Sequence, residues 1–442
     1  MIPADDTPTV SLRARGHLAA CSVADRAIIL ARATGRDDDV VRTQVAAIVD
    51  YVREKGDEAL LALTRELDLV KLVATEVPRA TIDAALEALD PAVRAALQRA
   101  ATNIRVASEA ARPREVVVET EPGVTVGRRP DPLDRVGVYA PGGRAVYPSS
   151  VLMGVVPAVV AGVREIIVCS PPGANGAPAL AVLAAAALAG AHRVFAIGGA
   201  QAIAAMAYGT ASVPRVDRIV GQGNAFVNEA KVQLSSIVGI DAPAGSTELL
   251  VIADPSTPAL LVAREMVAQA EHDPQASVVA IVVGGARVGA AIEEAIAGFA
   301  RSAGKKSIVR EALGARGAVL TVDTLDEAIV FANEYAAEHL MLAIAEPEAA
   351  LARLHGHGAI FVGASSSVPF GDYLTGANHL LPTGGLSRSF SGLSTESFMR
   401  WTSWQRVTPA AAGPLASDAG VLAEAEGLPG HALAARAWQA VP

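Results

Sequence analysis

The chain has 442 residues, 51% of them hydrophobic, 19% charged and only 4% aromatic, with 37 basic against 46 acidic side chains and a formal charge of -9. No long basic run could track a phosphate backbone and few rings could stack on bases, so nucleic acid is excluded as an expected partner. Two cysteines, Cys21 and Cys169, give no disulfide framework, the start MIPADDTPTV lacks the basic and apolar regions of a secretory signal, and the longest apolar stretch, APALAVLAAAALAGA at 177–191, is Pro-interrupted and shorter than the roughly 20 residues of a membrane span; the expectation is a cytoplasmic protein with no membrane segment.

Residues from roughly 23 to 112 carry amphipathic helical patterns such as VRTQVAAIVDYVREKGDEALLALTREL. From about 135 to 363, short β-branched runs alternate with Ala-rich helical windows. The runs are RVGVY at 135–139, EIIVC at 165–169, RVFAI at 193–197, DRIVG at 217–221, LLVIA at 249–253, SVVAIVV at 277–283, AVLTV at 318–322 and AIFVG at 359–363. Each is apolar on both faces and most are joined by helix-length segments, the pattern of a parallel sheet covered on both sides. The fold class is α/β.

So many units exceed one comfortable open sheet, and YAPGG at 139–143 and DAPAGS at 241–246 read as crossing points between two. The expected division is a helical N-terminal extension over 1–36, a first domain over 37–138 and 249–385, an inserted domain over 139–248, and a helical C-terminal extension over 386–442 that packs on a partner.

Familiar signatures are missing. No Gly-x-Gly-x-x-Gly follows a strand, GKKS at 304–307 lacks the spacing of a phosphate loop, and neither Gly-x-Ser-x-Gly nor His-Glu-x-x-His occurs.

The tripeptide Ala-Glu-His occurs twice, at 270–272 and 337–339, in surroundings too different for an internal repeat. Gln269 and His272 stand at i and i+3 of an expected helix, which suits two metal ligands or a capped helix end. Glu338 and His339 close a helix running from about 326 and lead into the strand-like LMLAIA. A neutral histidine there can remove a proton near pH 7, or it is simply stabilised by the helix dipole.

The stretch PFGDYLTGANHLLPTGG at 369–385 holds Asp372, Asn378 and His379 between glycines. Asp372 could be an oxygen ligand, or all three could be turn residues. In the tail, Glu426 and His431 lie either on a solvated face or in a polar pair delivered to an active site.

Read together, RVGVYAPGG, GGAQAIAAMAYGT, GNAFVNEAK, AQAEHDP, NEYAAEHL, GDYLTGANHLLPT, SGLSTESF and the tail Glu/His resemble the L-histidinol dehydrogenase family, in order over about residues 25–435. The resemblance implies two incomplete Rossmann-like domains and a zinc enzyme that oxidises L-histidinol through L-histidinal to L-histidine with two NAD, the last step of histidine biosynthesis. It further implies zinc held by Gln269, His272, Asp372 and His431, and NAD touched by Tyr139, Gln201 and Asn224. Substrate would be surrounded by Thr247, His339, Glu426 and the metal ligands, with Glu338 and His339 as the two bases. The implied homodimer is intertwined, each tail supplying Glu426 and His431 to its neighbour.

Three positions depart from the usual pattern: Ala337 and Gln222 stand where the family usually has Pro, and Ser246-Thr247 where it has Pro-Ser. Gln222 is expected to alter the turn that aims Asn224. ASSSVPFGDY also lacks a Glu that many members carry before Gly-Asp-Tyr. The rival readings are a related zinc- and NAD-dependent dehydrogenase for another small polar alcohol such as a sulfonated diol, and a zinc hydrolase using Glu338 and His339.

Overall fold

Two parallel sheets form the body, and a small antiparallel sheet joins the chain's middle to its tail. The computed structural model describes residues 11–32, 38–142 and 146–440; the opening decapeptide, the end of the expected 1–36 extension and Gly143 of YAPGG lie outside the described residues. In chain order the strands are β1 (Ala14–His17), β2 (Val116–Glu121), β3 (Val124–Pro132), β4 (Arg135–Tyr139), β5 (Glu165–Ser170), β6 (Arg193–Ala196), β7 (Arg218–Val220), β8 (Gly239–Ile240), β9 (Glu248–Ala253), β10 (Ser277–Val283), β11 (Ala318–Val322), β12 (His339–Ala343), β13 (Ala359–Val362) and β14 (Met399–Val407).

The larger sheet has six parallel strands in the order β1-β11-β10-β9-β12-β13. Alternate residues of each strand feed opposite faces, as the two-residue period requires. Leu249, Val251, Val278 and Ala280 pack under the helices Ala259–Ala270, Ala286–Ser302 and Lys306–Arg316. Leu250, Ile252, Val279 and Ile281 pack under Leu325–Tyr335 and Ile29. The smaller sheet, β6-β5-β4-β7-β8, is likewise parallel and covered twice. Ile166 and Val168 meet the helices Pro148–Ala161 and Leu180–Ala189, while Ile167, Cys169 and Phe195 meet Gly199–Tyr208 and Ala225–Leu234. Strands buried on both faces are why near-continuous apolar runs marked them in the sequence.

The expected division shifts in several places. The 1–36 segment is not purely helical, because β1 lies along β11 at the edge of the larger sheet. Residues 39–110 do not cover the larger sheet; Val45, Val49 and Leu60 on one side, and Ile82, Leu97 and Ile104 on the other, pack into the cores of the smaller one. β4, which the expected boundary at 138/139 would cut off, is that sheet's central strand. The described part of YAPGG, 139–142, is therefore the end of β4 and the residues that follow it in the smaller sheet, whereas DAPAGS does carry the chain from β8 to β9 in the larger.

The tail is not helical throughout either. β14 pairs antiparallel with β3, and Trp404 lies where a side chain on Gly127 would put its Cβ, 2.3 Å from the ring. Beyond it run the helices Pro409–Ala425 and Pro429–Arg436, packed on each other. Among the described residues, no helix is long and apolar enough to cross a membrane.

Candidate active site

The helix Leu325–Tyr335 starts at a capping box, Thr324 with Glu327, and stops at Ala336, whose φ of 50° is left-handed. A non-glycine residue seldom takes that conformation, and here it breaks the helix two residues before the pair Glu338–His339. Glu338 and His339 therefore do not end a helix: His339 opens β12, centrally placed between β9 and β13. The helix-dipole reading of His339 loses its geometric basis.

Glu338 is buried, and its two oxygens are treated differently. Oε2 accepts from Thr247 Oγ1 at 2.7 Å and from the Glu248 amide at 2.8 Å. Oε1 faces Gln222 Nε2 at 3.5 Å. His339 Nδ1 lies 3.0 Å from the Glu248 carbonyl oxygen and 3.3 Å from Glu338 Oε2. Donating Nδ1–H to that carbonyl leaves Nε2 as the ring's free atom. Nε2 is buried without a hydrogen bond, 3.5 Å from Asp372 Oδ1. Burial opposes a charge on His339, but the Glu338 and Asp372 carboxylates overcome it and hold the imidazolium well above its ordinary range.

Asp372 sits in the short helix Val368–Tyr373. Burial works against its charge as well, yet the imidazoles of His339, His379 and His272 hold its carboxyl below the usual range. Gln269, in the last turn of Ala259–Ala270, donates Nε2 to Thr247 Oγ1, which extends the chain of contacts Gln269–Thr247–Glu338. His272 follows just past that helix end. Asp372 thus faces His339 directly, Gln269 reaches the pair through Thr247 and Glu338, and His272 acts on the Asp372 carboxylate.

Glu426 and His431 do not join them. Both are exposed on the C-terminal helical hairpin, and among the described residues no three His, Cys, Asp or Glu side chains are grouped to hold a metal.

A separate cavity of about 610 Å³ opens at the carboxyl ends of β4, β5 and β6, where open α/β sheets receive ligands. Tyr139, Gln201 and Asn224 all line it, together with Asp68 and Gly199. Tyr139 Oη accepts from the Gly199 amide at 3.0 Å, and burial pushes its phenol up to about 12. Asn224 caps Ala225–Leu234 through Oδ1 on the Val227 amide at 3.1 Å, a bond that does not engage its Nδ2. Gln201 Oε1 and Asp68 Oδ2 are buried acceptors without a donor.

Sequence reasoning missed a buried layer beneath the site. Glu248 accepts from the Gly384 amide at 2.6 Å, from the Glu338 amide at 3.3 Å and from Arg32, whose guanidinium stacks 4.3 Å over Tyr335. Burial raises its carboxyl to about 7, Arg32 pulling it down and Glu338 pushing it up. A charge at the head of the apolar run ELLVIA was the available signal. His379, singled out in the sequence with Asp372, lies alongside: Nδ1 donates to the Asp372 carbonyl at 2.8 Å, Nε2 is 3.0 Å from Ser150 Oγ, and burial lowers its pKa. Of the departures, Thr247 uses its hydroxyl, and Ala337 donates an N–H to His357 Nδ1 at 3.2 Å that proline could not supply. Gln222 reaches Glu338 instead of merely shaping the Asn224 turn.

A family model described as histidinol dehydrogenase matches residues 31–438. The chain belongs to the histidinol dehydrogenase family. Among members, the histidinol dehydrogenase of Methanosarcina barkeri is 43% identical over 416 residues, 94% of this chain and 95% of that one. That of Halobacterium salinarum is 45% identical over 395 residues, covering 89% and 92%. The solved histidinol dehydrogenase of Elizabethkingia anophelis superposes with a TM-score of 0.91 at 31% identity, covering 97% of this chain and 98% of that one.

Proposed function

We propose that this chain is a cytoplasmic, zinc- and NAD-dependent dehydrogenase that takes L-histidinol through L-histidinal to L-histidine, consuming two NAD in the last step of histidine biosynthesis. The observation that carries the reading is the adjacent buried pair Glu338 and His339, the first with Oε1 met only by the long Gln222 contact among the described residues, the second with Nε2 free of hydrogen bonds. Two unlike bases suit two unlike proton removals.

The residues of the two sites fit zinc and NAD. Gln269 uses its nitrogen on Thr247, which leaves the amide oxygen beside His272 and the ionised Asp372, a donor set suited to zinc. Three protein donors on one subunit leave room for the partner's His431. The unpaired acceptors Gln201 Oε1 and Asp68 Oδ2 match the hydroxyl and amide donors of a dinucleotide. Zinc when bound would hold the amino group and imidazole of the substrate, and NAD when bound would accept the hydride.

In its neutral form His339 removes the alcohol proton through Nε2 in the first oxidation, the nearby Glu338 and Asp372 carboxylates raising its affinity for that proton. Glu338 then takes a proton from water as it adds to the aldehyde, and His339 deprotonates the hydrate in the second. Thr247 and the Glu248 amide fix Glu338 through Oε2, and Glu426 of the neighbouring tail faces the substrate amine.

The exposed apolar residues Val421, Leu422, Leu428 and Leu433 lie on the same hairpin as Glu426 and His431, and exposed Trp438 lies in the 3-10 turn after it. Such a face suits burial against a second copy, which supports the homodimer.

NADH absorbance with histidinol and NAD, before and after chelation, tests the reading. The expected result is a signal that chelator abolishes and zinc restores. No NADH from histidinol contradicts it, and release of a hydrolysis product instead points to the zinc hydrolase.

A further inference from the structure

Gln222 lies on the loop between β7 and Ala225–Leu234, and that loop is held firmly. Gly221 has φ of 120°, and a Cβ there would sit 2.1 Å from the Tyr139 carbonyl oxygen. The Gly221 amide donates to Asp241 Oδ2 at 2.7 Å, and its carbonyl accepts from the buried Lys231 at 3.0 Å. The side chain that follows is thus aimed by a rigid base, out of the smaller sheet and toward the larger.

Its amide nitrogen arrives at three acceptors: Glu338 Oε1 at 3.5 Å, the His379 carbonyl at 3.3 Å and the Leu381 carbonyl at 3.3 Å. A carboxamide has two hydrogens, so the three compete and the contact to Oε1 is the loosest. Among the described residues it is also the only donor at Oε1, because Thr247 and the Glu248 amide both serve Oε2. The oxygen left for chemistry is the one that Gln222 watches over.

We propose that Gln222 is a positioning residue for aldehyde hydration: it holds Glu338 Oε1 in the orientation that receives the water proton and governs the second oxidation, not the first. This rests on the histidinol reading above. In the step concerned, a water O–H bond breaks and its proton passes to Oε1 while the water oxygen bonds to the aldehyde carbon. The carbonyl π pair moves to its oxygen, which takes the proton back from Glu338 to give the hydrate. No electrons leave until the following hydride transfer.

The test compares Gln222→Met and Gln222→Glu with wild type, in the zinc-loaded enzyme. Readouts are the rapid-mixing rate of first NADH formation from L-histidinol and kcat for L-histidinal. Methionine keeps the length and loses the donor; glutamate keeps the shape and sets a like charge against Glu338. A cavity of about 220 Å³ beside residue 222, lined also by Arg218 and Leu381, gives either side chain room. Expected is a loss of about tenfold in kcat for the aldehyde with methionine and more with glutamate, while alcohol oxidation stays within about twofold and KM for NAD holds. Equal loss in both half-reactions, the signature of a staple between the two sheets, overturns the proposal, as does no loss in either. If the methionine variant is unstable, the same ratio in the glutamate variant decides. A wild type inactive on both substrates overturns the histidinol reading itself, whereas an unchanged ratio on an active enzyme overturns only the role of Gln222.

Discussion

His339 is held from two sides, by the Glu248 carbonyl at Nδ1 and by Asp372 across from Nε2. His339→Asn removes the proton acceptor of both oxidations, so NADH formation from histidinol and from histidinal should fall by about 10²–10⁴. Calorimetric substrate binding should persist. Glu338→Gln keeps an oxygen for Thr247 and the Glu248 amide, so the fold survives and alcohol oxidation should outlast aldehyde oxidation. Equal loss of both half-reactions in that variant contradicts the division of labour. The pair was legible in the sequence because it is polar inside an otherwise apolar run. Its setting was not, since nothing about alanine announces a left-handed residue at 336. Nor could spacing reveal that Arg32 lies under Glu248, 216 residues away.

At the level of elements, β9 is set beneath the site by a carboxylate at its first residue. Burial holds Glu248 near 7, above its ordinary 4.5. A raised folded-state value means the fold favours the protonated form, so this contribution is full below about 4.5 and is lost as pH rises through about 7. Glu248→Gln removes that dependence. The stability advantage of wild type over the variant should therefore shrink between pH 5 and pH 8, as read by thermal unfolding; a constant difference contradicts the assignment. Strands such as β10 and β11 were readable because burial on both faces makes them continuously apolar. β2 is wholly exposed, β3 carries two arginines and two prolines, β14 mixes arginine with tryptophan, and β1 is ARGH, so their pairing comes from partners far along the chain.

For the molecule as a whole, the α/β class and a two-sheet body were legible, whereas the allocation of residues 39–110 was not. Amphipathic helices show an apolar face without saying which sheet it covers. The tail poses the corresponding question between subunits, because Glu426 and His431 are exposed on a hairpin away from the residues around His339. Co-expressing His339→Asn with His431→Asn chains gives mixed dimers in which a crossed tail rebuilds one intact site. About a quarter of wild-type activity should return; none returns if each tail serves its own subunit. The central claim, a four-electron oxidation of histidinol at one site, is tested most directly by counting NADH per L-histidinol consumed at excess NAD. Two NADH with stoichiometric L-histidine is the predicted result, and one NADH with accumulating aldehyde, or none at all, would contradict it.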